Sequence, residues 1–237
     1  TARQAEILWG PFAGALPNIG LYPESARSLD VGHPIEGFEA PWGRAQFVMG
    51  YDAARIPRPP KTLHALLEWA RRNPGRFTYV APPDFTGSAF VRHALFLGAE
   101  PGAFSTFEAE IWERASKAAI AFFRRIRPYL WRQGTTYPTG PAELNRLFAN
   151  REVDFTMSYN PHFAAQRIRR GEFPPSVRTF VWDDGTLGNY SYLAIPFHAA
   201  RPAAAAVVVN HLLSFEAQLE QITAMPAPFI IDSARLS

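Results

Sequence analysis

Residues 75–93 read GRFTYVAPPDFTGSAFVRH, and this stretch decides the architecture. The apolar run Phe77 to Val80 has the composition of a buried strand. Pro82-Pro83 breaks it, because proline has no N–H to offer a ladder. The group Asp84-Phe85-Thr86-Gly87-Ser88 leads into a helical pattern, and the helix is expected to begin just after it. In a parallel α/β layer, ligands lie beyond the carboxyl ends of strands, where free helix N–H groups face a cleft. The stretch therefore reads as one wall of a binding cleft and carries no catalytic signature.

Outward from it, the same alternation continues. Upstream, Ile7-Leu8-Trp9 reads as a strand remnant, followed by an irregular loop through Leu16-Pro17-Asn18. An extended segment then leads to Glu39-Ala40-Pro41-Trp42-Gly43. Residues 45–51 form a buried strand, and Thr62 caps a helix whose Leu63, Leu66, Leu67 and Ala70 recur at helical spacing. Downstream, helices are expected over Phe107–Arg127, Pro141–Asn150, His162–Arg170 and Pro202–Leu213, the last followed by one that Ser214 opens. Strands fall at Val153–Met157, Val177–Trp182 and Tyr190–Ile195. Alternating strands and helices predict an α/β layer with parallel strands.

Composition narrows the function classes. A chain of 237 residues with 47% hydrophobic and 19% charged residues can bury a real core in one or two domains. No apolar run is long enough to cross a bilayer. The net charge is only +3. The clusters Arg124-Arg125-Ile126-Arg127 and Arg167-Ile168-Arg169-Arg170 fall within helical patterns as solvated faces, and no nucleic-acid motif accompanies them. The absence of cysteine removes thiol catalysis, cysteine-based zinc sites and disulfides together. A P-loop, GxSxG elbow and GxGxxG are all missing, and the six histidines show no HxxxH or HExxH spacing. Neither an enzyme, a cofactor nor a metal site is indicated.

Three segments, in order, resemble the solute-binding proteins of bacterial ABC importers, which have the two-lobed type II periplasmic-binding-protein fold. The first runs from Pro41-Trp42-Gly43 to Tyr51-Asp52 and on through Pro59-Pro60-Lys61-Thr62-Leu63 and Leu66-Leu67-Glu68-Trp69-Ala70. The second is Phe155-Thr156-Met157-Ser158-Tyr159-Asn160. The third is Tyr192-Leu193-Ala194-Ile195-Pro196 through Ala203-Ala204-Ala205 to His211-Leu212-Leu213-Ser214-Phe215-Glu216-Ala217-Gln218, with Phe215 where the family usually has proline. The match covers about residues 37–218, on a branch near thiamine-, polyamine- and iron-binding members. The family carries a substantial stretch before the Trp42 segment, whereas about forty residues precede it here, so the resemblance implies an incomplete first lobe. Residues 1–42 and 191–237 would form lobe 1, and residues 43–190 lobe 2. The implied partners are a small-molecule ligand and an inner-membrane ABC permease, for a monomer in the periplasm whose signal peptide is not visible in this chain. Two other classes use the fold: effector-sensing domains and enzymes.

The resemblance places crossings between lobes near Gly37–Gly43 and Gly188–Tyr192, although these glycines also suit ordinary turns. Candidate ligand contacts are Trp42, Asp84, Phe85, Thr86, Gly87, Ser88, Ser158, Tyr159, Asn160, Asn189 and Tyr190, on loops expected to converge on one hollow. Thr86, Gly87 and Ser88 offer N–H and hydroxyl groups to an anion, while Asp84 or Thr86 can equally act as a helix cap. Trp42, Tyr159 and Tyr190 with Glu39, Asp84 and Asp183 could build an aromatic box for an organic cation such as thiamine or a polyamine. Trp182 reads as core. Iron-binding relatives use adjacent tyrosines, but Ser191 separates Tyr190 from Tyr192, so an Fe(III) site is not expected.

Overall fold

The computed structural model describes residues 7–30, 32–104, 106–224, 230–232 and 234. The chain divides into two compact units, residues 1–45 with 188–237 and residues 46–187, so the second is inserted into the first.

The inserted unit is built on a three-stranded sheet. Strand β4 (Val48–Asp52) lies between β5 (Phe155–Ser158) and β6 (Val177–Phe180), antiparallel to both. The expectation of parallel neighbours is thus corrected. Strands β5 and β6 do run the same way, joined through helix α6 (Phe163–Arg169), as alternation requires. The slot between them is filled by β4, which runs in the opposite direction. Gly50 at its centre permits this packing, since a Cβ there would stand 2.7 Å from Phe163 Cζ and 2.9 Å from Thr156 Cγ2.

Helix α2 (Leu63–Arg72) starts where expected, with Thr62 Oγ1 accepting from the Ala65 N–H at 3.1 Å. Its periodic face, Leu63, Leu66, Leu67 and Ala70, is buried. The other helices of this unit are α3 (Phe85–His93), α4 (Ala109–Ile126) and α5 (Pro141–Ala149). Helix α5 packs on β5, α6 on β6, and α2 against α4.

Phe77 to Val80 is buried and extended but is not a regular strand. Its pairing is one parallel bridge, Phe77 with Leu130. The neighbours are short 3-10 turns around Pro128 and Trp131, which present scattered carbonyls instead of a ladder. Gly75 N–H donates to the Tyr129 carbonyl and Ala81 N–H to that of Pro138, both at 2.8 Å. An ionic clamp fixes the entry to this segment. Arg76 reaches Asp154 through Nε (2.9 Å to Oδ2) and Nη2 (2.5 Å to Oδ1), and Arg55 Nη2 adds a contact of 2.6 Å to Oδ1. Because Asp154 is buried, removing either arginine would leave a carboxylate underpaid in a poor dielectric.

The other unit joins the N-terminal segment to the C-terminal helices α7 (Pro202–Leu212) and α8 (Phe215–Ala224). Before them come a short helix α1 (Glu24–Ser28) and the pair β1 (Leu29–Asp30) and β2 (His33–Pro34). Strands β3 (Glu39–Gln46) and β7 (Gly188–Ala194) form a two-stranded ribbon. The expected strand over 45–51 is therefore split at Phe47, between β3 and β4. Phe12, Leu16, Tyr22, Ile195, Val209, Leu213, Ile230 and Ile231 make the core. Tyr22 donates its hydroxyl to the Leu213 carbonyl at 3.1 Å, and burial pushes its ionisation far up. Asn18 closes a reciprocal pair of 2.9 Å hydrogen bonds with Asn210.

His93 is fully buried and stacked on Trp182, with centroids 5.0 Å apart and planes 24° from parallel. Neither imidazole nitrogen nor Trp182 Nε1 has a hydrogen-bond partner among the described residues. Burial lowers the His93 pKa from 6.5 to about 4. In that window the unfolded chain binds a proton that the folded chain refuses, so stability is full above 6.5 and falls as pH drops towards 4. His93→Leu should flatten the pH dependence of the unfolding free energy by up to about 1.4 kcal/mol per pH unit, measured by urea unfolding between pH 4 and 7. Gly87→Ala should destabilise by about 1–3 kcal/mol in the same assay, because a Cβ there would sit 2.1 Å from the Val80 carbonyl oxygen.

Candidate functional site

Helix α3 begins at Phe85, earlier than the sequence suggests, because Asp84 is the N-cap. Its Oδ1 accepts from the N–H groups of Thr86 (2.8 Å) and Gly87 (3.1 Å), while the Ser88 N–H bonds the Asp84 carbonyl at 2.8 Å. The donors expected to await an anion are thus already engaged by the protein's own carboxylate. Thr86 and Gly87 are buried, with Gly87 pressed against the extended segment. Phe85, in contrast, is 56% exposed, and its ring meets Tyr159 edge-on at 4.8 Å. Tyr159 also lies 6.4 Å from Phe47. Burial raises the Tyr159 hydroxyl pKa, and the positive charge of Arg92 opposes the rise. Asp84, Phe85 and Tyr159 therefore form one surface, with Arg92 two turns along the same helix.

Ser158 and Asn160 belong elsewhere. They line a separate cavity of about 220 Å³ with Asn145, Gln166 and Arg170. Strand β5 ends at Ser158 and the chain bends at Tyr159, so Tyr159 faces Phe85 while its two neighbours face the cavity. Their oxygens are also in local use: Ser158 Oγ accepts from the Asn160 N–H at 3.1 Å, and Asn160 Oδ1 from the His162 N–H at 2.9 Å. These bonds shape the turn into α6.

Trp42, Asn189 and Tyr190 lie on the ribbon of the other unit. Trp42 is half-buried, and its carbonyl accepts from Gln218 Nε2 at 3.3 Å. The Asn189 amide donates to the Tyr190 carbonyl at 3.0 Å, which ties it to its own strand. The Tyr190 ring stands 6.5 Å from that of Tyr192 and has the Arg44 guanidinium 6.0 Å from its centroid. The Tyr192 hydroxyl donates to the Leu29 carbonyl at 3.0 Å and is pushed up first by burial, then by Asp30 and Glu39. Arg44 and Arg92 were not singled out from sequence, where an isolated arginine is indistinguishable from a solvated one. Trp182, expected in the core, is 2% exposed. Asp183 is exposed, and its N–H donates to the Lys61 carbonyl at 2.8 Å.

Caps, aromatic edges and ribbon side chains of this kind suit binding, and comparison with known proteins identifies the class. Residues 5–237 match the model of the bacterial extracellular solute-binding protein family, and the chain belongs to that family. It is 35% identical over 252 residues to Protein YnjB of Escherichia coli (strain K12), a match covering 100% of this chain and 62% of that protein. The chain thus spans less than two thirds of its relative. A crystal structure of an ABC transporter from Clostridium perfringens ATCC 13124 shares the fold, with a TM-score of 0.71 at 16% identity, covering 99% of this chain and 67% of the other. A periplasmic thiamin binding protein aligns with a TM-score of 0.61 at 15% identity, covering 98% and 62%. The fold also carries iron-bound HitA of Pseudomonas aeruginosa and fructose-6-phosphate-bound AfuA of Actinobacillus pleuropneumoniae, so it leaves ligand chemistry open. The family is one of binding proteins, not enzymes.

Asp84→Ala should lower stability by about 1 kcal/mol, by loss of the cap, whereas Asp84→Ser or Asp84→Asn should retain most of it. Thermal unfolding without ligand checks this. Equal losses in all three variants would show that the carboxylate charge, not the cap, holds the helix start.

Proposed function

We propose that the protein is the solute-capturing receptor of an ABC importer, acting as a monomer in the periplasm. It takes a small polar ligand, an organic cation such as thiamine or a polyamine, and passes it to a permease in the inner membrane. The carrying observation is the closure of the α3 N-terminus by Asp84. Its N–H groups serve the cap, so the surface offered to solvent combines a carboxylate with the exposed Phe85 ring and Tyr159 beside it. Carboxylate and ring faces attract cations, and the contact strengthens on desolvation. Trp42, half-buried on β3, supplies a second aromatic surface. The Tyr190 ring contributes less, because Arg44 already occupies its neighbourhood. Ser158, Asn160 and Asn189 support the loop shapes rather than the ligand.

The proposed mechanism is hinge closure. A ligand that binds the closed form more tightly favours it by the difference in its affinity for the two states. Delivery then requires that the permease reverse that preference.

Calorimetry on the full-length protein should give saturable binding for thiamine, spermidine or putrescine and none for phosphate or succinate. Asp84→Asn, which keeps an oxygen for the cap, should weaken the cation about tenfold, as should Trp42→Ala. A reduced radius of gyration on ligand addition, by small-angle scattering, reads closure. Binding confined to the anions would overturn the cation assignment while leaving the receptor role standing.

A further inference from the structure

A second cavity in the inserted unit is unused by the function proposed above, and neither Trp42, Asp84 nor Tyr159 lines it. It encloses about 400 Å³, within the range of small-molecule clefts. Phe96, Phe104, Phe107 and Trp112 are its aromatic lining, and Arg92 and Glu108 supply the charges. Phe107 is 79% exposed and Trp112 50%, an unusual concentration of uncovered aromatic surface.

The frame is rigid. Gly98 lets the preceding turn close on α4, since a Cβ there would lie 2.5 Å from the Ala115 Cα. Arg114 Nε then donates to the Gly98 carbonyl at 2.7 Å. The turn thereby holds the Phe96 side of the cavity against the first turns of α4, which carry Trp112.

Two charges of opposite sign stand among this apolar lining. Among the described residues neither the Arg92 nor the Glu108 side chain has a hydrogen bond or ion pair. Arg92 stands in the last turn of α3, where the carbonyl ends favour a cation. Glu108 stands at the N-cap of α4 without a side-chain capping bond, where the N–H ends favour an anion. Each charge is stabilised locally and still lacks a partner that touches it. A ligand with one charge would pair with one of them and leave the other to water.

We propose that this cavity is a binding site for a small zwitterion with a flat apolar body, the chemistry an aromatic α-amino acid presents. Arg92 takes the carboxylate, Glu108 the ammonium, and the four aromatic side chains cover the body. The site shares no lining residue with the cation surface at Asp84, although Arg92 also acts on the Tyr159 hydroxyl.

The test uses three probes with one body: L-phenylalanine, 3-phenylpropionate and phenethylamine. Each is titrated into the full-length protein and followed by calorimetry and tryptophan fluorescence. Phenylalanine should bind at least tenfold tighter than either singly charged analogue. Arg92→Gln should weaken phenylalanine and phenylpropionate about tenfold and leave phenethylamine unchanged, and Glu108→Gln should do the converse. Trp112→Ala should weaken all three. Equal or tighter binding of one analogue overturns the zwitterion assignment. Absence of binding for all three at millimolar concentration, or indifference to Trp112→Ala, overturns the site. Because these side chains are exposed or half-exposed, unchanged thermal unfolding of the variants shows that the fold is intact. Thiamine or polyamine binding should persist in Trp112→Ala, which separates this inference from the fate of the cation reading.

Discussion

The tie between Phe47 and the 186–187 segment governs the inserted unit. The Phe47 N–H donates to the Leu187 carbonyl at 2.8 Å, and Thr186 Oγ1 donates to the Phe47 carbonyl at 2.6 Å. The first and last residues of this unit, which spans 46–187, are thereby held side by side. A long chain segment whose ends meet has its closure entropy offset once, at this point, and can then fold around its own core. Phe47 itself is fully buried and its partners half-buried, so the tie lies at the edge of that core, where water competes less for its hydrogen bonds. Strand β4 starts one residue later, and its antiparallel partners follow from that starting direction.

Local chemistry at the start of α3 shows how a stabilising device can redirect function. A helix N-terminus is a ready anion site only while its N–H groups are free. Asp84 satisfies two of them, which stabilises the helix and replaces a positive end with a carboxylate surface. On the proposed reading, such a surface suits cations where a bare helix start would suit anions. A comparable division occurs at Ser158-Tyr159-Asn160, where one residue joins the aromatic surface and its neighbours shape the turn into α6.

Much of the local structure was legible in the sequence. Thr62 announced α2 because a hydroxyl before a periodic apolar run has one efficient use, and the buried face of α2 followed from spacing alone. The helix over 109–126 and its stop near Pro128 were equally plain. The opening stretch was harder. Phe77 to Val80 has strand composition, yet its partners are 3-10 turns, and composition cannot reveal what lies across a hydrogen bond. The early start of α3 was obscured because Asp84, Thr86 and Ser88 are all competent caps, and their choice depends on where Val80 allows Gly87 to approach.

Taken alone, the sequence determined the mixed α/β class, the family and the order of the elements, because periodicity, caps and proline breaks act within a few residues. Only the tertiary structure decided that β4 enters between β5 and β6. It also decided that Tyr159 parts company with Ser158 and Asn160, and that Arg92 and Glu108 share a cavity with Trp112. Those outcomes rest on contacts between residues far apart in the chain. Pairing direction, side-chain facing and cavity walls are set by which surfaces exclude water together, and no local pattern encodes that choice.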